Sequence, residues 1–189
     1  MEIKSAKFIK GVVGTDKILT DDIPQIAFIG RSNVGKSSVI NSLVKSNTLV
    51  KTGKKPGKTT EINFFMINNK MYFVDLPGYG FAHGGQAQIE KIRNLIIWYL
   101  TESGARPRLV VLILDIKAGM TDFDLDMIDI LRQQDINYII VANKADKLNQ
   151  KETSKEIAKI KFNSKEEDII LYSATDKSRP KVILDRILI

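Results

Sequence analysis

The sequence predicts an α/β protein, a doubly wound and mostly parallel six-stranded sheet with one antiparallel edge strand. Three observations predict it. Short apolar runs alternate with stretches of helical periodicity from Gln25 onward. The run 109–114 is continuously apolar, as in parallel strands covered on both faces. The runs 61–67 and 70–75 flank Asn68-Asn69, a connection typical of a β-hairpin.

The elements follow in order. Residues 1–25 read as a lead-in strand carrying Phe8, Ile9, Val12 and Val13, then a polar loop that ends at Pro24. Ile26-Ala27-Phe28-Ile29 is a buried strand, and Ser38 to Val44 a helix. Between them stands Gly30-Arg31-Ser32-Asn33-Val34-Gly35-Lys36-Ser37, which reads G-x-x-x-x-G-K-S, the phosphate-binding loop of nucleotide triphosphatases. Glycines let backbone N–H groups approach a phosphate chain, and the following helix N-terminus completes an anion site. Lys36 is placed to reach the β- and γ-phosphates, and the Ser37 hydroxyl to bind Mg2+.

Residues 45–58 hold five lysines and no acidic residue. They read as a mobile loop, and both a solvated surface and RNA phosphate contact stay open. Thr59 or Thr60 is the candidate for a second Mg2+ ligand that senses the γ-phosphate. The hairpin ends at Asp75, in Asp75-Leu76-Pro77-Gly78, or D-x-x-G. A carboxylate there can hold Mg2+ through water, and the Gly78 N–H can meet a γ-phosphate. A helix over 88–102 turns Ile89, Ile92, Ile96, Tyr99 and Leu100 inward, with Trp98 in the core. A second, over 122–134, buries Phe123, Met127, Ile128 and Leu131, with Thr121 or Asp122 as its cap.

The strand 137–141 leads into Asn143-Lys144-Ala145-Asp146, which reads N-K-x-D. The Asp146 carboxylate can accept from guanine N1–H and its amino group, a donor pair that adenine lacks. Asn143 is placed to touch the base and brace the phosphate loop, and Lys144 to lay its stem over the ring. A weaker helix runs to about Lys161. The last strand, 169–172, leads into Ser173-Ala174-Thr175, where the Ala174 N–H is placed to meet the guanine carbonyl. A short helix over 182–189 closes the chain. In such sheets ligands bind beyond the carboxyl ends of the strands, and every motif above lies at such an end.

Composition sets the limits. The chain has 189 residues and no cysteine, which excludes disulfides and thiolate metal sites. No apolar run approaches the ~20 residues of a membrane span, and residues 1–10 lack a signal-peptide core, so a cytoplasmic protein without a membrane partner is expected. The net charge of +7 suits either an anionic partner such as nucleic acid or a solvated lysine-rich surface.

Taken together, G-R-S-N-V-G-K-S, P-G-K-T, I-N-F-F, D-L-P-G-Y-G-F-A, T-D-x-D, N-K-A-D and S-A-T resemble the EngB family of bacterial GTPases, small relatives of Ras in the Era/TrmE group. The resemblance covers nearly the whole chain. It implies the P-loop GTPase fold over 1–189, with 1–25 packed on it, and a GTP/GDP site made from residues 30–38, Gly57, Lys58, Thr59, Thr60, 75–78, 143–146 and 173–175. Within the first of those stretches fall Gly30, Arg31, Ser32, Asn33, Val34, Gly35, Lys36, Ser37 and Ser38. It implies Ser37 and Thr59 as Mg2+ ligands, a role in large-subunit ribosome assembly through rRNA or ribosomal protein, a link to cell division, and a monomer.

Ras-like enzymes carry a water-orienting glutamine after D-x-x-G, and here that residue is Tyr79. Slow intrinsic hydrolysis is expected, with Lys36, Asn33 and Thr59 as the catalytic set. By the resemblance, Asn33 binds K+ in place of an arginine finger. His83 reads as an exposed loop residue rather than a general base, and Arg31 and Arg93 as surface pairing groups.

Overall fold

Alternation along single strands decides how the sheet is covered. The computed structural model describes residues 2–46, 48–50, 61–80, 85–174, 176 and 180–187. Strand β2 (Gln25–Gly30) is buried throughout. Its Ala27 and Ile29 join one apolar cluster, and its Ile26 and Phe28 the other. Strand β5 (Pro107–Asp115) divides likewise, with Val110, Leu112 and Leu114 on one side and Val111 and Ile113 on the other. Period-2 side chains with both faces covered give the unbroken apolar run.

Helices α2 (Gly85–Thr101), α3 (Asp122–Gln133) and α4 (Gln150–Ser164) cover the first face through Ile92, Ile96, Met127, Leu131 and Ile160. Helices α1 (Lys36–Leu43) and α5 (Pro180–Ile187) cover the second through Val39, Ile40, Leu43, Ile183 and Ile187. Each such side chain contributes roughly 1.5–3 kcal/mol of transfer free energy. The inward faces expected for α2 and α3 are buried, except that Ile89 and Trp98 are partly buried against the core.

The sheet has seven strands rather than six, in the order β1-β3-β4-β2-β5-β6-β7. The lead-in strand β1 (Ala6–Val12) pairs antiparallel with β3 (Ile62–Ile67), which pairs antiparallel with β4 (Met71–Asp75). Strands β4, β2, β5, β6 (Tyr138–Asn143) and β7 (Ile169–Leu171) are mutually parallel. The antiparallel strand β3 therefore lies inside the sheet, and β1 takes the edge.

The reason lies in the turn. Asn68 and Asn69 both hold positive φ, 51° and 54°, and Lys70 N–H closes the turn on the Ile67 carbonyl at 2.9 Å, so that residues 68–70 connect the paired Ile67 and Met71. The Asn68 carboxamide also accepts from Lys4 N–H at 2.7 Å and Ser5 N–H at 3.0 Å, and donates to the Glu2 carbonyl at 2.8 Å. That clamp sets residues 2–5 beside the hairpin, and β1 then satisfies the free backbone edge of β3. Only Val12 of β1 is buried, so its own pattern announces little.

Candidate nucleotide site

Strand β2 delivers the chain to the sheet rim at Gly30. A side chain there would place its Cβ 2.5 Å from the Ile113 carbonyl oxygen, so the turn needs glycine. Gly35 holds φ 94°, a left-handed backbone, and caps α1 without a side-chain hydrogen bond. The first turn of α1 carries no acidic residue. The N–H groups of Lys36, Ser37 and Ser38 thus open a helix whose positive end is not neutralised from within, a ready anion site. Val34 is buried, while the Asn33 side chain is exposed.

Lys36 and Asp75 come together. The Lys36 ammonium forms an ion pair with the carboxylate that ends β4, and each side chain is 9% exposed. A phosphate oxygen or a cation brought to this point meets both charges at once.

The segment after Asp75 lies against the phosphate loop. Leu76 and Pro77 are buried, and Leu76 N–H donates to the Phe28 carbonyl at 3.2 Å. The Ser32 hydroxyl donates to the Gly78 carbonyl at 3.0 Å, and Ser32 N–H to the Tyr79 carbonyl at 2.7 Å. Arg31 pairs with Tyr79 in an isolated bridge. The Tyr79 ring leaves the rim altogether. It is 1% exposed, packs edge-on to Phe123, and donates its hydroxyl to Asp124.

The base-selecting motifs brace the same loop. Asn143 donates to the Val34 carbonyl at 2.8 Å and accepts from Ala174 N–H at 3.2 Å. A guanine carbonyl at Ala174 would therefore share that donor with Asn143. The Lys144 ammonium donates to the Asn33 carbonyl at 2.6 Å and to Asp115 at 2.7 Å. Ala145 N–H donates to the Tyr172 carbonyl at 3.0 Å. Asp146 accepts from the Ser173 hydroxyl at 2.5 Å, which fixes one carboxylate oxygen and leaves the group on the rim. Gly57, Lys58, Thr59, Thr60, His83 and Thr175 lie outside the described residues, as do 51–56 of the lysine loop.

Asp115 was not anticipated. Its signal was available, since it ends the long apolar run on the rim that carries the other motifs. Burial raises its pKa, but the Lys144 hydrogen bond and charge and the Lys117 and Ala118 N–H groups outweigh this, and the carboxyl is held below its ordinary value. The stabilisation is therefore present in full above the ordinary carboxylate pKa and is lost only as pH falls through the lowered one. Among the described residues no group of three or more His, Cys, Asp or Glu side chains converges on a metal position. The donors on the rim, the Ser37 hydroxyl next in sequence to Lys36 and the Asp75 carboxylate paired with Lys36, are hard oxygens. They fit a Mg2+ ion that completes its shell with water and phosphate oxygens.

Known proteins resemble this chain in sequence and fold. The family described as "50S ribosome-binding GTPase" matches residues 25–144. A probable GTP-binding protein EngB of Thermoanaerobacter pseudethanolicus is 38% identical, over 94% of this chain and 93% of its own length. That of Clostridium acetobutylicum is 40% identical, over 97% and 93%. A crystal structure of a probable GTP-binding protein EngB superposes with a TM-score of 0.74 at 28% identity, covering 87% of this chain and 96% of that one. Aquifex aeolicus Era, solved with GDP and aluminium fluoride, reaches 0.65 at 20% identity over 88% of this chain and 56% of its own, a likeness of fold alone. The rim geometry and these matches agree, and the chain belongs to the EngB family of GTP-binding proteins, with the P-loop GTPase fold.

Proposed function

We propose that the chain is a Mg2+-dependent GTPase switch that serves assembly of the large ribosomal subunit in the cytoplasm, a role linked to cell division. One observation carries the nucleotide part. Loops 30–37, 75–79, 143–146 and 173–174 lie on one rim and are tied to one another by the Asn143–Val34, Ser32–Gly78 and Ser173–Asp146 hydrogen bonds. Such a frame suits a guanosine polyphosphate laid across it. Lys36 and the α1 N–H groups bind the phosphates, Asp146 reads the base, and Lys144 supports the ring. Ser37, Asp75 and, by family resemblance, Thr59 would hold Mg2+, which supplies charge compensation at the β- and γ-oxygens when bound. Gly78 N–H meets the γ-phosphate and loses that contact on hydrolysis.

The described family's ribosome binding and the +7 charge support a ribosomal partner, rRNA or ribosomal protein, for a monomeric switch. Sedimentation with large ribosomal subunits tests this. The chain with a non-hydrolysable GTP analogue is expected to co-sediment, and with GDP to stay in the supernatant. Equal distribution in both states would refute the switch.

The residue after Gly78 is the buried Tyr79, which offers no amide to orient an attacking water, and intrinsic turnover is expected to be slow. This favours a second reading, a switch with negligible hydrolysis until a partner binds. Asn33 is the proposed K+ ligand. Turnover in KCl is then expected to exceed that in NaCl at equal ionic strength, and equal rates would remove the ion's role.

A further inference from the structure

The T-D-x-D motif at the start of α3 has no place in the nucleotide site, yet it holds a polar cluster built on a fully buried carboxylate. Thr121 and Asp124 form a capping box. One oxygen of Asp124 accepts from both Thr121 N–H and the Thr121 hydroxyl, each at 2.7 Å, and the Thr121 hydroxyl accepts from Asp124 N–H. This much serves the helix. The other oxygen of Asp124 accepts from the Tyr79 hydroxyl, across 45 residues of sequence. The carboxylate is 0% exposed and the tyrosine 1%. Helix capping alone does not need a fully buried carboxylate with a third donor drawn from another loop.

That donor belongs to the residue next to Gly78. The Tyr79 carbonyl accepts from Ser32 N–H at 2.7 Å, and the Gly78 carbonyl from the Ser32 hydroxyl at 3.0 Å. The backbone of 78–79 is thus held to the phosphate loop on one side, and through the tyrosine ring to α3 on the other. The ring is enclosed by Phe123, at 4.6 Å between centroids, and the Arg93 guanidinium lies 4.5 Å over the same phenylalanine. The buried Arg93 Nε has no hydrogen-bond partner among the described residues. Burial, then the Asp124 charge and hydrogen bond, push the Tyr79 hydroxyl well above its ordinary pKa, so it stays a donor at neutral pH.

We infer that Tyr79, acting through Asp124, is a positioning residue that presets the Gly78 N–H over the phosphate loop and so sets the preference for GTP over GDP. This rests on the reading that Gly78 meets the γ-phosphate. The two Ser32 contacts lie on the phosphate loop and have no reach into the far side of the sheet. The Tyr79–Asp124 bond supplies the fixed point. Without it, only a fraction of molecules hold Gly78 in register, and the apparent affinity for GTP falls by that fraction. GDP lacks the γ-phosphate and does not depend on it.

The test compares the wild type with Tyr79→Phe and with Tyr79→Phe combined with Asp124→Asn. The first keeps the ring and removes only the hydroxyl. The second also removes the charge left short of a donor. Dissociation constants for GDP and a non-hydrolysable GTP analogue are measured beside thermal midpoints. The expected result for Tyr79→Phe is a GTP-analogue affinity weaker by about tenfold, as for loss of one hydrogen bond to a charged group, with GDP affinity within twofold of wild type. In the double variant the midpoint is expected to recover in part while the GTP-analogue affinity stays weak, because the tie is still missing. Equal weakening for both nucleotides, or GTP-analogue affinity that returns with the midpoint, would reduce Tyr79 to a packing residue and overturn the inference. Unchanged affinities would overturn it as well. A wild type that binds neither nucleotide would sink the GTPase reading itself, and this assignment with it.

Discussion

Asp146→Asn is expected to weaken guanine-nucleotide binding by at least about a hundredfold and to pass the preference to xanthine nucleotides. The carboxylate offers guanine two acceptors for two donors. The substituted amide keeps one acceptor and turns an NH2 group toward the guanine amino group. One charge-assisted hydrogen bond is lost and a donor faces a donor, at about 3 kcal/mol in all, which is roughly two decades in affinity. Xanthine carries a carbonyl at that position and accepts from the new amide. The fold is expected to tolerate the change, since the oxygen that accepts from the Ser173 hydroxyl at 2.5 Å has a counterpart in asparagine. Competition of GDP and XDP for a fluorescent guanine nucleotide measures the switch. An unchanged GDP-to-XDP ratio would remove Asp146 from the base site.

The second large effect is expected at Lys36. Lys36→Met keeps the stem and removes the ammonium, which leaves Asp75 buried at 6% exposure without its cation. Breaking a buried ion pair from one side costs about 3–5 kcal/mol, seen as a lower midpoint in denaturant without nucleotide. Turnover is expected to fall by on the order of 100- to 1,000-fold, since a preorganised cation at the phosphates is gone. Lys36→Met combined with Asp75→Leu separates the two effects. An apolar pair of similar volume is close to neutral for stability, so the midpoint returns while turnover does not. Recovery of both would mean that the pair serves the fold alone.

These two residues show what local pattern conveys. G-x-x-x-x-G-K-S after an apolar run fixes a strand, a turn and a helix start within a few residues, because the glycines and the uncapped helix act locally. The hairpin at Asn68-Asn69 was legible for the same reason, since two residues of positive φ are a local requirement. The lead-in strand was legible as a strand, but its place as the seventh strand of the sheet was not. Residues 6–12 are mostly exposed, and the Asn68 carboxamide that holds the chain just before them lies 64 residues from Lys4 and 63 from Ser5. Asp115 is marked locally as the end of an apolar run on the rim, but its partner is not. Its use appears only when β6 sets Lys144 beside it.

By itself the sequence determined the α/β class, the order of the strands along the chain and the residue types able to bind a guanosine polyphosphate. All of these follow from periodicity and from chemistry carried within short segments. Only the tertiary structure decided who meets whom. It set Asn143 on Val34 across 109 residues, joined Lys36 to Asp75, and turned Tyr79 from the rim into the core against Asp124. The physical reason is that these are single contacts between distant segments. Their partners are chosen by the packing of the parallel strands and helices, and no spacing along the chain encodes that choice.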